Sequence, residues 1–234
     1  MEMVEKIDEK ELHAKYEDNT YIESKIFYNI IKNIFDFIMS FAASIILIIP
    51  CVIIALIIFI TDPGNPFFEQ ERIGKNGKII KMVKFRSMKK NAGNLKDMLT
   101  PEEYEEYLKE FKLDNDPRLL PHGIGKIIRK TSLDELPQIL FNVFLRRNMS
   151  FVGPRPILRE EMDLNYTPEQ QKLLTSVKPG ITGYWQAYGR NNVGYKDGRR
   201  QEMELYYARN CSVWMDIKVL FKTVYAVIKS EGAK

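Results

Sequence analysis

From Phe37 to Ile60 the chain runs 24 residues without a charged side chain, with Ser40 and Ser44 as the polar interruptions. A helix of that length matches the ~30 Å hydrocarbon layer of a bilayer. The run is too long, starts too late and lacks the small-residue cleavage site of a removable signal peptide. Pro50 lies near its middle, where it deletes a helix hydrogen bond and crowds the preceding turn, so a kink is expected. A straight helix would cross the layer, whereas each arm of a sharply bent one would reach only about 15–20 Å and re-emerge on the side it entered. Lys25 and Lys32 precede the run and Arg72, Lys75 and Lys78 follow it. Basic residues on both flanks leave the crossing and the re-entrant path equally open.

Three segments follow from this run: a mixed-charge leader over 1–33, a membrane-embedded helix over 34–61 and one soluble domain over 62–234. The leader reads as a surface helix or a disordered arm. With 35 basic against 31 acidic residues the charge is too balanced to signal nucleic-acid binding. Cys51 and Cys211 lack the paired spacing of a zinc site or disulfide framework, which fits a reducing compartment. His13 and His122 are the only histidines, too few for a histidine metal centre or a Ser-His-Asp triad.

Past Asp62-Pro63-Gly64, the stretches 67–73 and 78–85 read as strands joined around Asn76-Gly77, a strong hairpin signal. Residues 89–113 read as a charged helix starting near Thr100-Pro101-Glu102. Helices are expected over 123–130 and 136–144, a rigid turn at Gly153-Pro154-Arg155-Pro156 and a glycine-rich loop over 180–190. The last helix sets Ile217, Leu220, Phe221, Val224, Val227 and Ile228 at helical spacing, with Lys218, Lys222 and Lys229 mostly on other faces. Such a stripe can be covered by lipid headgroups or by protein.

RKTSLDELPQ, 129–138, places Asp134 and Glu135 side by side among cations. A capping box, Ser132 with Glu135, is one reading. Pro137 opposes it, because with Ser132 as cap the proline would lose a helical hydrogen bond. A helix starting near Asp134 removes that conflict and sets both acids at a helix N-terminus, where the macrodipole favours a deprotonated carboxylate. Adjacent helical side chains diverge by about 100°, so one acid can attack while the other holds a cation. Phosphoryl transfer asks for that division together with arginines and a hard metal ion. Lys84 and Arg86 share a strand face, and Arg129, Arg155 and Arg190 arrive from other segments. No GxxxxGK phosphate loop occurs; GKNGK at 74–78 reads as the hairpin turn. Trp185 in GITGYWQAYGRNN is a candidate for stacking on a nucleobase, with core packing as its alternative.

The ordered set of an apolar helix with a central proline, NPFFEQERIGKNGK, KFRSM, NDPR, GIGKIIRKTSLDELPQILFNV, MSFVGPRP, KPGITGYWQAYGRN and YYARNCSVWMDIKVLFKT resembles the bacterial sugar transferases, the monotopic phosphoglycosyl transferases, over about residues 30–232. The resemblance implies an α+β, mostly helical monotopic protein with a Pro-kinked re-entrant helix, a small β-hairpin and amphipathic interfacial helices. It implies transfer of sugar 1-phosphate from a UDP-sugar to polyprenyl phosphate, with release of UMP. Asp134 matches the nucleophile and Glu135 the Mg²⁺-binding partner. Lys84, Arg86, Arg129, Pro154, Arg155, Pro156 and Arg190 match phosphate- or substrate-binding positions, and Pro50 the membrane kink. The expected place is the bacterial inner membrane, cytoplasmic face, with a homodimer left open.

Ile49 stands before Pro50 where some small members carry serine, and Glu204 stands where aspartate is more usual. The four-span leader of larger members is not expected. An insertion at 89–113 like that of polysaccharide-initiating hexose transferases favours galactose or glucose as donor sugar. Two other readings compete: a non-catalytic membrane adaptor recruiting anionic lipid or proteins, and a single-span protein with a phosphate-binding domain.

Overall fold

The computed structural model describes residues 19–110, 113, 116–189 and 198–228. Residues 1–18 of the leader and Arg190 lie outside them. Helix α1 runs Asn19–Thr61 with Pro50 inside it, so no break separates the end of the leader from the apolar run. Its span Ile26–Thr61 is long and apolar enough to cross a membrane. Ile46, Ile49, Ile53 and Ile60 are among many large apolar side chains exposed along it. Apolar patches of that extent on a folded chain mark a lipid- or protein-covered surface.

The opposite face of α1 is docked. Tyr28, Lys32, Asp36, Ser40 and Ser44 recur every fourth residue, form one polar stripe and are all buried. Lys32 Nζ lies 2.6 Å from Asp216, and Tyr28 donates to the same carboxylate at 3.0 Å. Tyr207 donates to its other oxygen at 2.6 Å. Asp36 accepts from the Phe151 amide at 3.2 Å, and Phe37 stacks on Phe144. Nearer its C-terminus α1 inserts the fully buried Ile58 into a core with Phe85, Leu120 and Ile128. At Asp62 it ends against the Arg86 guanidinium. Both ends of the apolar helix are therefore anchored to the same folded body.

That body holds β1 (Phe67–Ile73) and β2 (Ile79–Phe85), an antiparallel pair in register from Phe67↔Phe85 to Ile73↔Ile79. Asn76 (φ 57°) and Gly77 (φ 72°) make the left-handed turn that Asn-Gly predicts. The Asn76 amide then donates to Thr175 O, seating the hairpin tip. Helices α2 (Leu95–Met98) and α3 (Pro101–Glu110) divide the segment expected as one helix. Thr100 and Glu103 close a reciprocal capping box at 2.9 and 3.3 Å, which sets the start of α3 where the sequence places it. α4 (Ile124–Lys130) leads to a 3₁₀ turn, Leu133–Glu135, and a π-helix, Ile139–Leu145.

β3 (Ser150–Val152) is followed by α5 (Arg159–Asn165) and α6 (Pro168–Leu174). The segment expected as a glycine-rich loop instead forms β4 (Gly180–Thr182) and α7 (Tyr184–Tyr188). β4 pairs in parallel with β3, Ser150 facing Gly180, and a Cβ on Gly180 would collide with the Gly153 backbone. The glycines serve close backbone approach rather than flexibility. α8 (Arg199–Asn210) and α9 (Val213–Ile228) complete the α+β, mostly helical fold. α9 turns Asp216 and Val219 inward while Trp214, Phe221 and Val224 stay exposed, Phe221 by 74%. Lys218 and Lys222 lie over the rings of Trp214 and Tyr225 on the same exposed side.

Candidate active site

Asp134 and Glu135 occupy the 3₁₀ turn, not the first turn of an α-helix. Ser132 precedes them in the left-handed region (φ 55°) and makes no side-chain cap, so the capping box is not formed. Helical structure resumes at Pro137, whose missing N–H falls where no helical partner is required. Leu133 and Leu136 bracket the acids and pack on the Ile58 core, which fixes the turn against the membrane helix.

Glu135 Oε1 accepts from Lys84 Nζ at 2.9 Å, and Asp134 Oδ2 lies 3.8 Å from the same ammonium. Burial pushes the Asp134 carboxyl above its usual range and Glu135 adds to the rise; Lys84 and Arg129 pull the other way. The net direction is opposite to that expected from a helix N-terminus. A 3₁₀ turn of three residues supplies little macrodipole to offset burial.

Lys84 is held in place by a residue that sequence reasoning missed. Asn142, fully buried in the π-helix, accepts from the Val83 amide at 2.9 Å and donates to Lys81 O at 2.8 Å. It thereby clamps β2 beside the acid turn. One polar residue inside ILFNVFL was the signal available, since a buried amide must find partners. Arg86 does not follow Lys84 to the acids, although two strand positions share a face. Its guanidinium is spent on the Asp62 carboxylate and its Nε on Asn65 O at 2.9 Å, joining β2 to the end of α1.

Glu135 and Ser132 line a cleft of about 430 Å³ whose other walls include Arg155, Thr182, Trp185 and Gln186. The 153–156 turn is built so that Arg155 reaches it. Pro154 and Pro156 are buried, Gly153 N donates to Thr182 O at 2.9 Å, and Pro154 O accepts from Gly180 N at 2.9 Å. Arg155 is the partly exposed member, its guanidinium 5.9 Å from the Trp185 ring centre. Arg200 covers Trp185 at 4.2 Å, and the tryptophan is only 9% exposed. Packing with guanidinium groups, rather than an open stacking face, is its observed state. Arg129 is exposed in the last turn of α4, close enough to lower the Asp134 pKa.

A second groove of about 400 Å³ runs between α1 and the π-helix. Leu47, Cys51, Ala55, Phe59, Pro137 and Leu140 line it. Leu136 and Ile139 wall both cavities, so the charged cleft and the apolar groove adjoin at the acid turn.

The acid pair offers two hard oxygen donors, and among the described residues no cluster of three or more metal-ligating side chains occurs. A Mg²⁺ ion bound through one carboxylate, substrate phosphates and water fits that donor set.

The model of the bacterial sugar transferase family matches residues 27–230. A UDP-galactose-lipid carrier transferase of Erwinia amylovora is 41% identical over 206 residues, 87% of this chain and 41% of that protein. An undecaprenyl-phosphate galactose phosphotransferase of Salmonella typhimurium is 42% identical over 207 residues, again 87% of this chain and 41% of the relative. The chain thus spans about two fifths of these relatives' length. The exopolysaccharide production protein ExoY of Sinorhizobium fredii is 38% identical over 205 residues and is matched over 87% of its length. With its acid turn, clamped lysine and apolar run 37–60 all inside the matched range, the chain belongs to the bacterial sugar transferase family.

Proposed function

We propose that the protein transfers a hexose 1-phosphate, galactose or glucose, from a UDP-sugar to polyprenyl phosphate, the step that starts polysaccharide assembly. The observation that carries this reading is the acid turn wedged between a charged cleft and an apolar groove along the membrane helix. A water-soluble diphosphate donor and a hydrocarbon-tailed phosphate acceptor need two such surfaces side by side; Glu135 lines the cleft, Leu136 and Ile139 wall both, and Asp134 stands on the same turn without lining either. Two relatives matched across the acid turn carry names that state a galactose transfer involving a lipid carrier or undecaprenyl phosphate.

In this reading an Asp134 oxygen attacks the sugar-bearing phosphorus of the donor. The bond from that phosphorus to the bridging oxygen breaks, and UMP departs with the electron pair. The acceptor's phosphate oxygen then attacks the same phosphorus and releases the Asp134 carboxylate. Lys84, in reach of both carboxylates, offsets the charge that Glu135 places on Asp134 and favours the ionised, attacking form of Asp134. Glu135 would hold Mg²⁺, which when bound neutralises phosphate oxygens. Arg155 and Arg129 supply further positive charge to the donor's phosphates, and Arg190 is proposed with them on its motif position. Pro154 and Pro156 stiffen the turn that presents Arg155, and Arg86 acts through the α1–β2 junction.

The docking of Tyr28 and Lys32 at one end of α1 and of Ile58 and Asp62 at the other supports the re-entrant path bent at Pro50. A body confined to one side of the bilayer holds both ends more readily than a crossing helix allows. The exposed Trp214, Phe221 and Val224 of α9, with lysines beside them, support a helix lying at the interface of the inner membrane, the domain on the cytoplasmic face. The adaptor alternative gives the partly buried acid–lysine constellation no task.

The test is release of UMP by purified protein from a panel of UDP-sugars with Mg²⁺ and polyprenyl phosphate. Release with UDP-galactose or UDP-glucose is expected; no release with any donor would defeat the proposal.

A further inference from the structure

Glu204 sits on α8, 2% exposed, far from any surface a carboxylate would choose. Its Oε2 accepts the backbone N–H of Arg155 at 3.1 Å. Its Oε1 is buried without a hydrogen-bond partner among the described residues. The charged groups acting on it are Arg155 on the turn, Arg200 on the same helix and Glu161 on α5. A buried carboxylate is costly to keep, so a residue of this kind serves an end other than packing.

We propose that Glu204 is a positioning residue for Arg155: by clamping the Arg155 amide it fixes where the guanidinium stands over the cleft that holds Glu135. The proposal rests on the functional reading above and adds to it a residue that touches no substrate. The turn's other ties hold its flanks: Gly153 N to Thr182 O before Arg155, and Ile73 N to Ile157 O after it. Between them the Arg155 amide has the Glu204 carboxylate as its anchor. A guanidinium at the end of a long flexible side chain inherits every displacement of its own Cα. Misplacement of a phosphate-binding cation weakens donor binding before it slows chemistry.

The clamp predicts a specific pattern of kinetics. Glu204→Ala should raise the KM for the UDP-sugar about tenfold while kcat falls less than threefold. Glu204→Gln keeps an acceptor oxygen for the amide and should stay within about threefold of wild type in both. In an Arg155→Ala background, Glu204→Ala should add nothing, because residues acting through one another are non-additive. Hydrogen exchange at the Arg155 amide reads the clamp without turnover. It should be slow in wild type and Glu204→Gln and at least tenfold faster in Glu204→Ala.

Loss of active fraction through misfolding lowers apparent kcat and leaves KM in place, so that pattern in Glu204→Ala would overturn the proposal. Additive KM effects in the double variant, or unchanged exchange at the Arg155 amide, would overturn it too. Failure of the wild-type chain to release UMP would count against the proposed reaction alone, the exchange experiment still deciding the clamp.

Discussion

Lys32 Nζ lies 2.6 Å from Asp216 Oδ2, joining the membrane helix to the last helix across 184 residues of sequence. Both side chains are buried, and Tyr28 and Tyr207 complete the network around the carboxylate. Removing one partner of such a pair leaves an uncompensated buried charge, a loss of about 3–5 kcal/mol. Asp216→Ala should therefore lower thermal stability in detergent sharply and expose α1 to protease near Tyr28. Lys32→Met with Asp216→Leu should recover part of the loss, since an apolar pair of similar volume avoids the desolvation cost.

Asp134 titrates in a field set largely by burial and by Lys84. Removing the ammonium in Lys84→Met raises the Asp134 pKa further, so the acid limb of the pH–rate profile should move to higher pH. The missing charge-assisted contact should cost about ten- to a hundredfold in rate at neutral pH. A limb that stays in place would show that Asp134 is not the group whose ionisation limits the reaction.

Burial lifts the Glu204 carboxyl from 4.5 to about 7, against the pull of the Arg155 amide and Arg200. The folded chain then binds more protons than the unfolded chain between about pH 4.5 and 7, so stability falls as pH rises through that window. The integrated cost is on the order of 3 kcal/mol. Glu204→Gln should flatten this slope and be the more stable protein at pH 8, as read by thermal midpoints from pH 4.5 to 8. A wild-type midpoint that rises across the window would contradict the assignment.

The two docks of α1 make a topological prediction. Single cysteines introduced as Asn29→Cys and Pro63→Cys, in a chain with Cys51 and Cys211 replaced by serine, should both resist an impermeant maleimide in intact spheroplasts. Both should react after lysis. Labelling of one but not the other in intact spheroplasts would mean a helix that crosses.

Local signals reached far in this chain. The uncharged run, the Asn76-Gly77 turn and the helix start at Thr100-Pro101 depend on residues close in sequence, and each forms as its pattern dictates. Pro137 correctly argued against a Ser132 cap, yet the acids took a 3₁₀ turn because Leu133 and Leu136 are drawn onto Ile58. Long-range pairings were silent: glycines at 180 and 183 read as a loop because only Gly153, some thirty residues earlier, explains them. The stripe Tyr28, Lys32, Asp36, Ser40 and Ser44 lies at four-residue spacing in the sequence, but spacing alone does not say that a folded body covers it. Lys84 and Arg86 show the limit of face arguments, since strand parity fixes a side but not a partner.

In the proposed reaction Asp134 becomes covalently phosphorylated with the sugar attached. Purified protein mixed with Mg²⁺ and a UDP-sugar, without acceptor, should carry a hexose-phosphate adduct on the peptide containing Asp134, detected by mass spectrometry after rapid quenching. Asp134→Asn should show neither the adduct nor release of UMP, a loss of at least about a thousandfold. Undiminished UMP release from Asp134→Asn would contradict the account.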